Sequence, residues 1–252
     1  MCHENWTGAD PFHSATPIAV DVEDGARMPG WSFEPEGPSR GVCLVVPDIY
    51  GPSPFYAELS RMLADTGVTA ILVDYFFREG SLPEVTREAA FERRAALDER
   101  RTLRDLSTAI DHLGARPGRT GVIGFCLAGQ FALDLCAERD DLATVCFYAF
   151  PEGVQGDVAV PAPRPIDLAD EITGPILAFW GTRDYIPLSV ISRFEKAMRT
   201  AGVDYEQHLY EGAGHSFLQG LVEDRDDSVA AHDAWQKTLR FLHAAELTGP
   251  AS

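Results

Sequence analysis

Short apolar runs recur along the chain and alternate with segments of helical length. Five runs are hydrophobic along nearly their whole length: residues 41–46, 68–73, 120–123, 144–149 and 175–180. Uninterrupted runs of this kind are typical of strands that are covered on both faces of a sheet. We therefore predict five buried strands, followed by a sixth strand at residues 205–210.

Between these runs, the hydrophobic residues recur with the period of a helix. This spacing predicts helices over residues 56–66, 130–138, 190–201 and 228–244. A longer stretch rich in Glu and Arg, residues 83–113, is predicted to form two helices joined near Asp98. Two short strands, residues 17–22 and 31–33, precede the alternating part.

The repeated alternation of strands and helices defines the fold class. Such a chain is expected to form an α/β fold, with a mostly parallel central sheet and helices on both faces. We predict a single domain over residues 17–246, preceded by a flexible tail at residues 1–16. Residues 151–170 are rich in Pro and Gly and are predicted to form a covering loop.

Composition narrows the function classes. The 252 residues carry a formal net charge of −18, which disfavours nucleic acid and anionic membranes as partners. The chain shows no secretory signal pattern and no run of roughly 18 apolar residues, so a cytoplasmic protein is expected. The five cysteines form no CxxC pair, which predicts neither a disulfide framework nor a zinc site. We interpret Cys2, His3 and His13 as incidental residues of a tail, and we expect no cofactor or metal.

The segment GVIGFCLAGQFAL, residues 121–133, is the first sign of chemistry. It predicts a buried strand, a sharp turn and the start of a helix, the arrangement in which α/β-hydrolases present a nucleophile. The residue at the turn is Cys126, and Ala128 stands two positions later, where glycine is usual. A cysteine at a helix N-terminus is stabilised as the thiolate by the helix dipole.

Two further reactive side chains follow later strands. Asp184 comes after the strand at residues 175–180, and His215 comes after the strand at residues 205–210. Because ligands bind at the carboxyl ends of parallel strands, we expect these groups to meet Cys126 there. An imidazole can deprotonate the thiol, and a carboxylate can orient the imidazole. The chain order of nucleophile, acid and base is the order found in α/β-hydrolases.

The turn also predicts an oxyanion hole. The backbone N–H of Leu127 is expected to face the developing negative charge, with Ile49, after the strand at residues 41–46, as the second donor.

Each predicted catalytic residue has a structural alternative. Cys126 could be a buried packing residue, Asp184 a turn cap, and His215 an exposed or core histidine.

At these motifs the chain resembles the dienelactone hydrolase family, also called carboxymethylenebutenolidases. The resemblance extends from about residue 18 to residue 242 and is carried by three strings: GFCLAG at residues 124–129, GTRD at residues 181–184 and EGAGHSF at residues 211–217. It implies an α/β-hydrolase fold and hydrolysis of a lactone or ester through an acyl-enzyme intermediate. It also implies Cys126 as nucleophile, His215 as base and Asp184 as the acid that orients the base.

The resemblance assigns roles to further residues. The family has a carboxylate after the third strand that helps to deprotonate the thiol, and Asp48 stands there, although glutamate is usual in the family. Members that open dienelactone hold its carboxylate with two arginines. Arg87 matches one of them, but Leu218 and Gln219 stand where the other would fall. Tyr148 is a candidate for the substrate-binding wall, with core packing as its alternative.

Both charged candidates also have a structural alternative. Asp48 could cap the turn before Gly51. Arg87 could form an ion pair on its helix with Glu84 or Glu88. The sequence therefore does not decide whether the substrate carries a carboxylate.

Three function hypotheses remain. The first is a cysteine-dependent hydrolase of a small lactone or ester. The second is a non-hydrolytic relative that uses the same pocket for isomerisation, cyclisation or acyl transfer, which Ala128 and the long covering loop would suit. The third is a binding protein on this fold, which the complete set of Cys126, Asp184 and His215 disfavours. We expect a monomer, with a dimer as the alternative.

Overall fold

The computed structural model describes residues 10–22, 24–114 and 119–245 of the chain. Within these residues, eight strands form one sheet. In chain order the strands are β1 Thr16–Asp21, β2 Arg27–Phe33, β3 Val42–Val46, β4 Thr69–Val73, β5 Thr120–Phe125, β6 Leu142–Phe147, β7 Ile176–Gly181 and β8 Tyr205–Tyr210. Across the sheet they lie in the order β1, β2, β4, β3, β5, β6, β7, β8. Strand β2 pairs antiparallel with β1 and β4, and the other neighbours are parallel.

The same described segments contain six α-helices, of which the first five lie between strands and the last follows β8: α1 Pro54–Ala64, α2 Arg87–Ala95, α3 Glu99–His112, α4 Leu127–Glu138, α5 Leu188–Ala201 and α6 Ser228–Ala244. Short 3₁₀ helices form at Pro11–Ser14, Pro165–Glu171 and Phe217–Leu221. The predicted break near Asp98 is present because the Asp98 carboxylate caps α3, accepting the Arg101 N–H at 2.9 Å.

Burial follows the strand order. Every residue of β5, β6 and β7 is buried, as expected of central strands with helices on both faces. The rings of Phe125, Phe147 and Phe179 stack across these three strands, with neighbouring centroids 5.2 and 4.8 Å apart. The edge strand β8 has no fully buried residue. The predicted α/β fold with a mostly parallel sheet is confirmed.

The beginning of the described chain differs from the prediction. Pro11–Ser14 form a 3₁₀ helix, and the ring of Phe12 packs 5.0 Å from that of Trp31. The predicted tail at residues 1–16 is therefore too long, since residues 11–16 belong to the folded domain. Cys2 and His3 lie outside the described residues. His13 is exposed, and the described residues contain no group of three or more potential metal ligands.

The segment predicted as a covering loop, residues 151–170, follows β6, and its last part lies in the 3₁₀ helix Pro165–Glu171. A buried ion pair between Arg94 of α2 and Glu99 of α3 holds this loop, with 2.9 Å between nitrogen and oxygen. Arg94 also donates to the Val154 carbonyl oxygen at 3.0 Å, and Glu99 accepts the Ala162 N–H at 2.9 Å. Helices α2 and α3 thus determine the path of the loop.

None of the helices in the described segments combines the length and the apolar character needed to cross a membrane.

Candidate active site

The turn between β5 and α4 holds Cys126 in a strained backbone conformation, with φ of 56° and ψ of −118°. A residue other than glycine adopts a positive φ only where the surrounding structure enforces it. Here the Cys126 N–H donates to the Phe147 carbonyl oxygen at 3.0 Å, and the Cys126 carbonyl oxygen accepts the Gly129 N–H at 3.0 Å. Strand β6 and helix α4 therefore fix the backbone that carries the thiol.

Two glycines allow α4 to lie close to the sheet. A Cβ atom at Gly124 would lie 2.2 Å from the Ala128 carbonyl oxygen, and one at Gly129 would lie 2.7 Å from the Ala149 Cβ. A Cβ atom does not approach other non-bonded atoms so closely, so both positions require glycine. Ala128 is fully buried, and its carbonyl group is what lies nearest to Gly124. The closest approach of strand and helix therefore falls at Gly124, and the alanine at position 128 fits the turn.

His215 and Asp184 form the second part of the site. The Nδ1 atom of His215 lies 3.0 and 2.9 Å from the two carboxylate oxygens of Asp184. Because an ionised carboxylate only accepts hydrogen bonds, Nδ1 carries the proton and Nε2 is left as an acceptor. The Asp184 side chain is fully buried, and its Oδ1 also accepts the Ile186 N–H at 3.1 Å. Within the described ranges the buried Nε2 makes no hydrogen bond, which leaves it available to a reacting group.

Three aromatic rings surround the imidazole of His215. The ring centroids of Tyr185, Tyr148 and Phe150 lie 4.3, 4.7 and 5.8 Å from its centre. Phe150 and Tyr185 line the cavity that contains Cys126, whereas Tyr148 is buried and is not part of that wall. The structure therefore supports the packing alternative for Tyr148 rather than the predicted contact with substrate.

Tyr185 is a residue of this site that the sequence motifs did not indicate. Its hydroxyl forms a hydrogen bond with the Cys126 side chain. Partial desolvation, followed by the negative charges of Cys126 and Asp184, raises the pKa of the Tyr185 phenol well above its ordinary value, so the phenol stays protonated. The only sequence signal is its position, directly after Asp184 in the loop that follows β7.

The loop after β3 carries two of the predicted site residues, Asp48 and Ile49. Asp48 is buried, and its carboxylate accepts the Tyr50 N–H at 2.9 Å, which is the turn-capping alternative. Its side chain also belongs to the cavity wall, beside Cys126. The Ile49 carbonyl oxygen accepts a hydrogen bond from Arg93 at 2.8 Å, and the Arg93 guanidinium lies 3.8 Å from the Phe76 ring centroid. Arg93, which the sequence did not single out, thus fixes the backbone of the second predicted oxyanion donor.

A cavity of about 720 Å³ brings most of the predicted residues together. Cys126, Leu127, His215, Asp48, Ile49 and Arg87 all line it. Arg87 is exposed, and its guanidinium lies 5.3 Å from the ring centroid of Phe91, another wall residue. In the described part of the chain Arg87 forms no ion pair with Glu84 or Glu88, the alternative considered from sequence.

A second cation, Arg225, lies on the cavity wall and is not among the residues predicted from the sequence. Gln219 stands where the resemblance places the second arginine, and Arg225 donates to its side-chain oxygen at 2.9 Å. Arg225 also forms an ion pair with Asp227 at 3.1 Å. No motif could have indicated it, because the loop after the 3₁₀ helix Phe217–Leu221 folds back to the cavity.

The strand order, with an antiparallel first pair, and the strained turn after β5 define the class of protein. They are features of the α/β-hydrolases, in which the nucleophile stands on a sharp, strained turn between a strand and the following helix. The carboxyl ends of β3, β5, β7 and β8 carry the side chains described above, since parallel strands end at the same edge of a sheet.

Within this class, the chain belongs to the dienelactone hydrolase family, whose sequence profile matches residues 28–246. It is 37% identical to a carboxymethylenebutenolidase of Rhodococcus opacus over 100% of both chains. It is 36% identical to carboxymethylenebutenolidase 2 of Cupriavidus pinatubonensis, over 77% of this chain and 81% of that one. A crystal structure assigned as a dienelactone hydrolase from Klebsiella pneumoniae superposes with a TM-score of 0.79 at 26% identity, covering 91% of this chain and 98% of that one.

These comparisons confirm the family that the motifs at residues 124–129, 181–184 and 211–217 indicated, and with it the α/β-hydrolase fold. The chain is a hydrolase of the dienelactone hydrolase type, so the hypothesis of a binding protein without activity is not supported.

Proposed function

We propose that the protein hydrolyses a small lactone with Cys126 as the nucleophile, through an acyl-enzyme intermediate. The observation that carries this proposal is the arrangement of His215. Its Nδ1 is held at 2.9 Å by a buried carboxylate, and the residue lines the same cavity as the thiol. That arrangement supplies a base with a fixed tautomer next to a nucleophile.

In the first half of the reaction, the Cys126 thiol gives its proton to Nε2 of His215 and the sulfur attacks the lactone carbonyl carbon. The π electrons move to the carbonyl oxygen, where the N–H groups of Leu127 and Ile49 stabilise the negative charge. When this intermediate collapses, the ring C–O bond breaks and the leaving oxygen takes the proton from His215. The product is a thioester on Cys126.

In the second half, water gives a proton to Nε2 of His215 and attacks the thioester carbon. The C–S bond breaks, a carboxylic acid leaves and Cys126 regains its proton. Asp184 remains ionised throughout, orients the imidazole and stabilises its protonated form. The balance is one water consumed for each lactone opened.

Asp48 is our candidate for assisting the first proton transfer. Burial, followed by the negative charges of Asp48 and Cys126, raises the pKa of the Tyr75 phenol well above its ordinary value. The charges of Asp48 and Cys126 therefore both influence the buried Tyr75 hydroxyl, and both residues line the cavity. A carboxylate in this position can help the thiol to lose its proton, which passes to His215, when a substrate displaces the surrounding water.

We further propose that the substrate carries a carboxylate. The relatives named carboxymethylenebutenolidases act on a butenolide, an unsaturated lactone, with a carboxymethylene group. With a net charge of −18, this chain needs a local cation to hold an anion. Arg87 is suited to that role because, in the described residues, it contacts the Phe91 ring and no carboxylate.

The test is turnover of carboxymethylenebutenolide by the wild type and by Cys126→Ala and His215→Ala. We expect each variant to lose about 10⁴-fold or more in kcat, as when a member of a catalytic triad is removed. His232→Ala, which changes an exposed histidine of α6, is the matched control and should retain wild-type turnover.

Undiminished turnover in Cys126→Ala would exclude the thiol mechanism. In H₂¹⁸O the product should gain one labelled oxygen. A product without label would instead support the non-hydrolytic alternative, because isomerisation and cyclisation consume no water.

A further inference from the structure

Tyr185 is a large aromatic residue that stays 61% exposed at the mouth of the cavity. Its two neighbours in the chain are buried, Asp184 behind His215 and Ile186 in the core. The hydrogen bond from the Ile186 N–H to Asp184 at 3.1 Å fixes the turn between them. The backbone therefore projects the Tyr185 side chain outward, over the reactive groups, and not into the core.

Tyr185 contacts both partners of the proposed proton transfer. Its ring centroid lies 4.3 Å from that of His215, with an angle of 32° between the ring planes. The ring of Phe150 lies 6.0 Å from that of Tyr185 and 5.8 Å from that of His215. Its hydroxyl forms a hydrogen bond with the Cys126 side chain. Tyr185 and Cys126 line the same cavity, and the phenol hydroxyl is a hydrogen-bond partner of the sulfur, whereas Nε2 of His215 makes no hydrogen bond in the described segments.

The phenol can act on the sulfur only as a donor. Because desolvation and the neighbouring negative charges keep it protonated, it cannot accept the thiol proton, which still passes to His215. A hydrogen bond donated to a thiolate is stronger than one donated to a neutral thiol, since charge strengthens the bond. A donor at this place therefore favours the thiolate over the thiol.

We propose that Tyr185 is a further catalytic residue, which stabilises the Cys126 thiolate through its hydroxyl and covers the His215 imidazole with its ring. The inference rests on the proposed role of Cys126 as nucleophile. In the first half of the reaction the hydroxyl increases the fraction of thiolate. In the second half it stabilises the thiolate that leaves when the C–S bond breaks. The phenol keeps its own proton throughout.

The experiment measures the thiol directly, as the rate of alkylation by iodoacetamide from acid to alkaline pH. Every variant is made in a Cys2→Ser background. The other described cysteines, Cys43, Cys136 and Cys146, are buried, and burial raises the pKa of each thiol, so Cys126 is the group that reacts. Tyr185→Phe removes the hydroxyl and keeps the ring. Tyr205→Phe, a tyrosine on β8 outside the cavity wall, is the matched control.

For Tyr185→Phe we expect the alkylation profile to move to higher pH by about one unit, which is the effect of losing one charge-assisted hydrogen bond. Near neutral pH the fraction of Cys126 present as thiolate then falls about tenfold, but the more basic thiolate reacts about threefold faster. The observed alkylation rate therefore falls about threefold. At alkaline pH the variant should react about threefold faster than the wild type. Tyr205→Phe should keep the wild-type profile.

Three results would overturn the inference: an unchanged profile, a shift to lower pH, or a decrease by the same factor at every pH. The last result would mean that the hydroxyl serves only the local structure. These outcomes do not depend on turnover. If Cys126→Ala still opened the lactone, the nucleophile proposal would fail, and the alkylation profile would still report the bond between Tyr185 and the sulfur.

Discussion

Arg87 and Arg225 are the two cations on the cavity wall, and they differ in what they already bind. Arg225 is engaged by Asp227 at 3.1 Å and by Gln219 at 2.9 Å, so much of its charge is compensated within the protein. Arg87 forms no ion pair or hydrogen bond among the described residues, and its guanidinium lies 5.3 Å from the Phe91 ring centroid. At the scale of the residue, Arg87 is therefore the better anchor for a carboxylate, and Arg225 shapes the wall around Gln219.

We expect Arg87→Met to raise the KM for a carboxylate-bearing lactone about tenfold, the cost of one charge-assisted hydrogen bond. The KM for the methyl ester of the same lactone should stay within about twofold, because the ester has no charge to lose. Steady-state kinetics on both substrates provide the measurement. Arg199→Met, which alters an exposed arginine on α5, is the control. An equal increase for both substrates would argue for a steric role of Arg87.

At the scale of the element, the covering loop depends on contacts with helix residues that precede it by 60 and 63 positions in the chain. The Arg94–Glu99 ion pair is almost completely buried, with side chains 1% and 2% exposed. Arg94 also donates to the Val154 carbonyl oxygen of the loop, and Glu99 accepts the Ala162 N–H. Val154 and its neighbours line the cavity, so α2 and α3 position one wall of the site.

Arg94→Met should lower the free energy of unfolding by about 3–5 kcal/mol, because it leaves the buried Glu99 carboxylate without its partner. Unfolding in urea measures this loss. The double variant Arg94→Met/Glu99→Leu should recover part of it, since no charge then remains buried. In the single variant, limited proteolysis should cleave the loop between residues 153 and 162 sooner than in the wild type. A single variant as stable as the wild type would show that the pair does not hold the loop.

At the scale of the whole molecule, the chain has 39 acidic and 21 basic residues, and one of the acidic residues lies inside the core without an ion pair in the described residues. Asp134 on α4 is 1% exposed, and burial, followed by the charges of Glu99 and Glu138, raises its pKa well above the ordinary value. A group whose pKa is higher in the folded state than in the unfolded state favours folding at low pH. Its contribution is lost as the pH rises from the unfolded value towards the folded one.

For Asp134→Asn we therefore expect a difference in pH dependence. Relative to the variant, the free energy of unfolding of the wild type should fall as the pH rises above about 4, the ordinary pKa of an aspartic acid. The decrease should be about 1.4 kcal/mol for each pH unit until the folded-state pKa of Asp134 is reached. Urea unfolding of both proteins at several pH values gives the difference. A constant difference over the whole range would mean that Asp134 does not titrate as its burial requires.

The sequence by itself determined the order of strands and helices and the chemistry at the strand ends. The apolar runs and helical periods are local properties, so the break at Asp98 and the extents of β8 and α6 match the structure. Cys126, Asp184 and His215 could be found because each follows a strand directly, and parallel strands bring their carboxyl ends together.

The tertiary structure alone decided which side chains surround that chemistry. Tyr185 over the thiol, Arg225 beside Gln219, and the Arg94–Glu99 pair beneath the covering loop are contacts between segments that no local spacing relates. Their positions depend on the paths of loops, and those paths are set by hydrogen bonds and ion pairs formed only after the sheet has assembled. The reaction class follows from residues at strand ends, whereas the surroundings of the thiol follow from the packing of the loops above them.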